Sequence, residues 1–154
     1  MLAYLIIIII VIIEVIIVSY ISYKNINSWY FTDLVIRPKH APPPIIFGIV
    51  WFIIYTIYAY AWCSSYYHAK HSTLINIIFF ISLLLNVLWV LSFFGLHLIG
   101  YSKIIIVMLL LLVLYQACIM WKLEDGLSTF LMLIYAGWLI VATGLNFNTF
   151  LKVV

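Results

Sequence analysis

The sequence predicts an all-α fold: an integral membrane bundle of five transmembrane helices. Three observations predict it. Hydrophobic residues make up 69% of the 154-residue chain and charged residues 7%, with a mean hydropathy of +1.31. A soluble domain of this size would leave too much apolar side chain in water, so the solvent must be lipid. Windows of roughly 20 apolar residues, the length that spans a bilayer, fit five times and leave almost nothing over. Residues 1–154 therefore read as one membrane domain with no soluble appendage. All four prolines (Pro38, Pro42, Pro43, Pro44) fall in one polar stretch, Arg37 to Pro44. A proline-rich loop against an otherwise helical bundle reads as a lid.

The first span, about 2–22, is dominated by isoleucine. Isoleucine is a poor helix former in water, but in lipid the backbone must satisfy itself and a helix forms regardless. The N-terminus lacks a basic stretch and a small-residue cleavage site, so this is a retained span rather than a signal peptide. The lid loop follows over 23–46. The second span covers about 47–67, and a turn with His68, Lys70 and His71 leads to the third, about 74–98. Gly100 and Lys103 mark the next turn, before a fourth span at about 104–121. The turn from Lys122 to Gly126 precedes the fifth, about 127–147.

Five spans put the two ends on opposite sides. Lys24, Arg37, Lys39, Lys103 and Lys152 share the side of the proline loop; Lys70 and Lys122 stand on the other. The excess predicts that the proline loop and the C-terminus face the cytoplasm. No basic cluster points to nucleic acid. Cys63 and Cys118 lie within spans and read as small buried apolar residues. His68-x-x-His71 lacks a third metal partner. No nucleophile–base pair and no phosphate loop is present, so catalytic and metal residues are expected to be none.

Polar residues within spans are costly and need a reason. Span three carries Asn86, Trp89, Phe93 and His97 at a spacing that places them on one helix face. Span five repeats the pattern with Tyr135, Trp138, Ala142 and Asn146, and span two with Trp51, Tyr55, Tyr58 and Trp62. Counting turns from the proline-loop side puts Trp51, Asn86, Trp89 and Trp138 in one half of the bilayer, with Glu14 at similar depth. Side chains from several helices at one level make a cavity lining; helix–helix packing and asparagine hydrogen bonding are the alternative. Trp29, Trp62, Tyr66, Tyr67, Tyr101 and Trp121 read as interfacial anchors. Glu14 reads as structural pairing or tolerance near lipid, with a proton or ligand role as the alternative.

From Trp29 to Asn146 the chain resembles the TspO/MBR family, the translocator proteins, peripheral benzodiazepine receptors and tryptophan-rich sensory proteins. Trp29-Tyr30, then Arg37-Pro38-Lys39-His40-Ala41-Pro42-Pro43, Phe47 and Trp51 follow the first family pattern. Asn86, Trp89, Phe93, Phe94 and Gly95 follow the second. Asp125, Tyr135, Trp138, Ala142, Thr143, Leu145 and Asn146 follow the third. Three motifs in order, each in the expected span, are specific. The chain departs from the family at Arg37 (usually Lys), His40 (usually Trp), Ser82 (often Gln) and Ile134 (usually Pro). Phe147 replaces the Tyr of the proposed cholesterol motif.

The resemblance implies a five-helix bundle, often a homodimer, in contact with the lipid bilayer. It implies a pocket under the first loop that binds porphyrins and, in some members, sterols and benzodiazepine-type drugs. The candidate ligand-binding residues are Trp51, Tyr55, Asn86, Trp89, Phe93, Tyr135, Trp138, Ala142 and Asn146. Arg37, Pro38, His40, Pro42, Pro43 and Phe47 form the candidate lid. No cofactor is required; a porphyrin or haem-type tetrapyrrole is the expected ligand, and the function is that of a receptor or carrier. Two other functions stand beside it: light- or oxygen-dependent porphyrin breakdown through Trp51 and Trp138, and a structural or assembly subunit.

Overall fold

A computed structural model describes residues 1–25, 41–70 and 72–153. Within them the chain forms five helices: α1 (Leu2–Asn25), α2 (Pro44–His68), α3 (Thr73–Val90, extended by a π-helical turn, Leu91–Gly95), α4 (Ile99–Lys122) and α5 (Gly126–Val153). Each is long and apolar enough to cross a membrane. Successive helices run antiparallel: Tyr4 meets Tyr66 edge to face at 5.8 Å, and Lys103 at the start of α4 lies 3.4 Å above the Phe150 ring near the end of α5.

Helix α1 touches the rest of the bundle along one stripe, Ile7, Val11, Glu14 and Val18. This four-three-four spacing keeps one face inward, while isoleucines such as Ile9, Ile12 and Ile16 are exposed. The helix runs to Asn25, so the expected lid loop starts later than residue 23. It also stops earlier than residue 46. Pro43 is the N-cap of α2 with φ −61° and ψ 155°, and Pro44 opens the helix. Proline suits a first helical position because its missing N–H would have had no partner there. Pro43 therefore serves as a helix start, and Phe47 belongs to the first turn of α2. Of the other candidate lid residues, Arg37, Pro38 and His40 lie outside the described residues, as do Trp29 and Lys39.

The third helix ends before the expected residue 98. At Leu91 it widens by one residue, so that the Leu96 N–H donates to the Leu91 carbonyl at 2.8 Å, five residues back. The wider turn brings Ser92, Phe93 and Phe94 inward together, which a regular helix, advancing about 100° per residue, would not do. His97 adopts φ 56° and is exposed. This left-handed residue separates the helices and removes His97 from the face of Asn86, Trp89 and Phe93, where its spacing had placed it. Helix α4 then begins at Ile99 rather than about 104, and α5 continues six residues past the expected 147, to Val153.

The α4–α5 turn is tight. The Asp125 N–H donates to the Met120 carbonyl at 3.0 Å and the Glu124 N–H to the Trp121 carbonyl at 3.1 Å, with Glu124 left-handed at φ 58°. This is a Schellman closure with glutamate where glycine is usual. Asp125 then caps α5 through its Oδ1, which accepts from the Ser128 N–H at 3.0 Å. Its Oδ2 accepts from the Ser64 hydroxyl and lies 3.7 Å from His68 Nδ1, both on α2. Burial alone pushes the Asp125 carboxyl up. The hydrogen bonds from Ser128 and Ser64, with His68 nearby, outweigh that and hold it below the ordinary carboxylate value.

Two placements correct the sequence reading outside the site. Trp62 is not an interfacial anchor: it is 3% exposed, stacks on Phe79 at 5.7 Å and donates its indole N–H to Asn76 Oδ1 at 2.7 Å. Trp121, Tyr101 and Tyr67 are exposed near helix ends, as anchors are. The cysteines are not buried. Cys118 is exposed on the outer side of α4, and Cys63 is half-buried at the margin of the core.

Candidate ligand-binding site

The inward faces of α2, α3 and α5 carry aromatic rings because their tryptophans and tyrosines recur at helical spacing. Trp51 is their hub. Its ring centre lies 5.6 Å from Trp89, 5.8 Å from Tyr55, 6.3 Å from Trp138 and 6.4 Å from Tyr135. These separations fall within the range of favourable aromatic pairs. Phe47 packs edge to face on Trp138 at 5.5 Å, and Trp89 stacks on Phe93 at 6.0 Å.

A cavity of about 500 Å³ opens on one side of this cluster, between α1, α2 and the end of α3. That size falls in the range of small-molecule sites. Trp51, Tyr55, Trp89, Val90 and Phe94 form its floor, and Phe47 and Gly48 one wall. Val15, Val18, Ser19 and Ser22 of α1 form the other. Tyr23, Ile45 and Phe52 stand at its exposed rim. A second void of only about 10 Å³ lies on the far side, bounded by Phe47, Trp89, Phe93, Phe94, Ala142, Leu145 and Asn146.

The candidate residues therefore divide. Trp51, Tyr55, Trp89 and Phe47 meet on the large cavity. Phe93, Ala142 and Asn146 border the small void. Asn86, Tyr135 and Trp138 lie behind Trp51, on neither wall. Asn86 is 1% exposed and ties three helices together: its Oδ1 accepts from the Tyr55 hydroxyl at 3.4 Å and its Nδ2 donates to the Tyr135 hydroxyl at 3.1 Å. Asn146 pairs with Ser102 of α4, donating through Nδ2 at 3.0 Å.

Sequence reasoning missed two contributions. One is the α1 wall, whose signal was the helical spacing of Val15, Val18, Ser19 and Ser22 in an isoleucine-rich span. The other is Gln116 of α4, fully buried, whose Nε2 donates to Ser82 Oγ at 2.9 Å and to the Tyr58 hydroxyl at 3.3 Å. Tyr58 also bonds Ser82 and donates to the Phe79 carbonyl at 2.6 Å. A buried polar layer thus joins α2, α3 and α4 beside the aromatic cluster.

Five membrane-crossing helices around a tryptophan-rich cluster, with a cavity beside it, define a multi-pass integral membrane protein. The chain belongs to the TspO/MBR family, whose sequence model matches residues 5–151. It is 28% identical over 124 residues to Protein CrtK of Rhodobacter capsulatus, covering 79% of this chain and 76% of that protein. It is likewise 28% identical over 139 residues to Tryptophan-rich protein TspO of Archaeoglobus fulgidus, covering 86% and 85%.

Proposed function

We propose that the protein is a membrane receptor or carrier for flat, apolar ligands of the porphyrin type, bound in the cavity between α1, α2 and α3. The observation that carries this reading is the cavity of about 500 Å³ floored by Trp51, Tyr55 and Trp89. Rigid aromatic rings offer large contact area at low entropy cost, which suits a planar macrocycle. Ser19 and Ser22 supply polar groups toward the mouth. Arg37 and Lys39, in the proline loop, are assigned to pairing with peripheral carboxylates. The orientation that goes with this reading puts the proline loop and the C-terminus in the cytoplasm, on the excess of basic residues.

Titration of the purified protein with a porphyrin, read by tryptophan fluorescence, tests the reading. Saturable quenching is expected, reduced in Trp51→Phe, whose ring lines the cavity. Absence of saturation, or a curve unchanged in that variant, would refute it. A second reading, oxidative porphyrin breakdown under light and dioxygen, draws on Trp138 standing 6.3 Å behind Trp51. It requires the porphyrin absorption band to disappear in the same samples under illumination, and to persist in Trp138→Phe.

A further inference from the structure

Glu14 is unused by the cavity's aromatic floor and by the polar layer. It sits midway along α1, is 4% exposed, and neither carboxyl oxygen has a hydrogen-bond partner among the described residues. Every other residue of its inward stripe, Ile7, Val11 and Val18, is aliphatic. An unpaired carboxyl in hydrocarbon is costly and calls for a partner.

Some neighbouring donors are engaged elsewhere, while the indole N–H groups of Trp89 and Trp138 are buried without a partner among the described residues and the Tyr135 hydroxyl accepts from Asn86. The Tyr55 hydroxyl donates to Asn86, the Tyr58 hydroxyl to the Phe79 carbonyl, and the Gln116 amide to Tyr58 and Ser82. The Glu14 carboxyl is within electrostatic reach of Tyr55 and Tyr58 of α2 and of Tyr135 of α5. No described lysine or arginine stands in the central turns of any helix, so the described residues offer no counter-ion at this depth.

Its position relates it to the cavity. Val15, the next residue, and Val18, one turn on, both line the wall, and Tyr55 lies in the floor. Glu14 is not itself among the lining residues; it adjoins them through Val15 and Val18, within electrostatic reach of Tyr55, a floor ring of the kind whose face attracts cations. A carboxylate beside aromatic faces in a water-poor place is the chemistry that recognises an ammonium group. The carboxylate neutralises the charge, and the rings stabilise it without requiring a hydrogen-bond donor.

We propose that Glu14, with the rings of Trp51, Tyr55 and Trp89, forms an ammonium-recognition subsite at the deep end of the cavity. Among flat apolar ligands it selects those that carry a positively charged amine. The apolar body fills the cavity toward Phe47, and as the ammonium group binds, the carboxyl releases its proton to water and pairs with that group. This inference rests on the reading of the cavity as a ligand site.

The test compares (2-naphthylmethyl)trimethylammonium with its neutral isostere 2-neopentylnaphthalene by isothermal titration calorimetry on the detergent-purified protein. The ammonium compound is expected to bind about tenfold more tightly, a preference that Glu14→Gln and the apolar Glu14→Met abolish while leaving the neutral compound's affinity unchanged. A readout on the wild-type protein names the residue directly. The ammonium compound, and not the isostere, is expected to protect Glu14 from dicyclohexylcarbodiimide, scored by mass spectrometry. Equal affinities, a preference that survives both substitutions, or absent protection would each overturn the subsite. If neither compound binds while a porphyrin still quenches tryptophan fluorescence, the ammonium subsite fails and the ligand site stands. If the porphyrin also fails, both fall.

Discussion

At the scale of single residues, burial separates side chains that look alike in sequence. Trp62 and Trp121 both lie near helix ends, yet Trp62 is 3% exposed and Trp121 72%. A tryptophan near a membrane interface suits either an anchor or a core stack, and only the partner decides; for Trp62 these are Phe79 and Asn76. Gln116 was invisible for a related reason. It stands in an otherwise apolar stretch of α4, and its meaning comes from Tyr58 and Ser82 on other helices. Replacing Gln116 with Leu removes the donor to both. The change is expected to lower bundle stability by about 1 kcal/mol, typical of interhelical hydrogen bonds in membranes, measured by unfolding in mixed detergent. By contrast, the aromatic stripes of Trp51, Tyr55, Asn86, Trp89 and Tyr135 were legible. Helical periodicity fixes which residues share a face, and in a small bundle the aromatic face turns inward. Their division between two voids was not legible, because it depends on where the Trp51 ring rests.

At the scale of elements, the helix ends carry most of what the sequence concealed. Apolar composition marks a span well but its limits poorly. The π-helical turn at Leu91–Gly95 has no periodic signature, since it exists where one extra residue is accommodated. The α4–α5 turn makes a sharper prediction. Asp125 caps α5 and accepts from Ser64 of α2, so Asp125→Ala should cost about 1 kcal/mol. The sign with pH follows from a carboxyl held below its usual value when folded. Its stabilisation is complete above the unfolded pKa and is lost as pH falls through that value toward the folded one. A melting-temperature series from neutral to strongly acidic pH should therefore show a loss at the acid end in wild type that is smaller in Asp125→Ala. Equal acid sensitivity would remove this residue from the account.

At the scale of the whole molecule, five helices and their order followed from hydropathy alone, because a bilayer admits few alternatives. A protease-sensitive tag placed after Val154 should be protected in sealed right-side-out cells and cut in inverted vesicles; the opposite pattern would reverse the assignment. The expected pocket lay among α2, α3 and α5, under the lid. Among the described residues that centre holds packed aromatic rings, and the larger cavity lies beside it, between α1, α2 and the end of α3.

The rim of that space has a consequence for how affinity is measured. Phe52, 69% exposed on a membrane-crossing helix, stands at the mouth with Tyr23 and Ile45. On the proposed reading of the cavity as a ligand site, a mouth edged by lipid-facing side chains would take its ligand from the bilayer itself, where an apolar solute is already concentrated by partition. The relevant ligand concentration is then moles per mole of lipid or detergent. Diluting a fixed amount of porphyrin into more detergent should weaken apparent binding in proportion, with the water volume held constant.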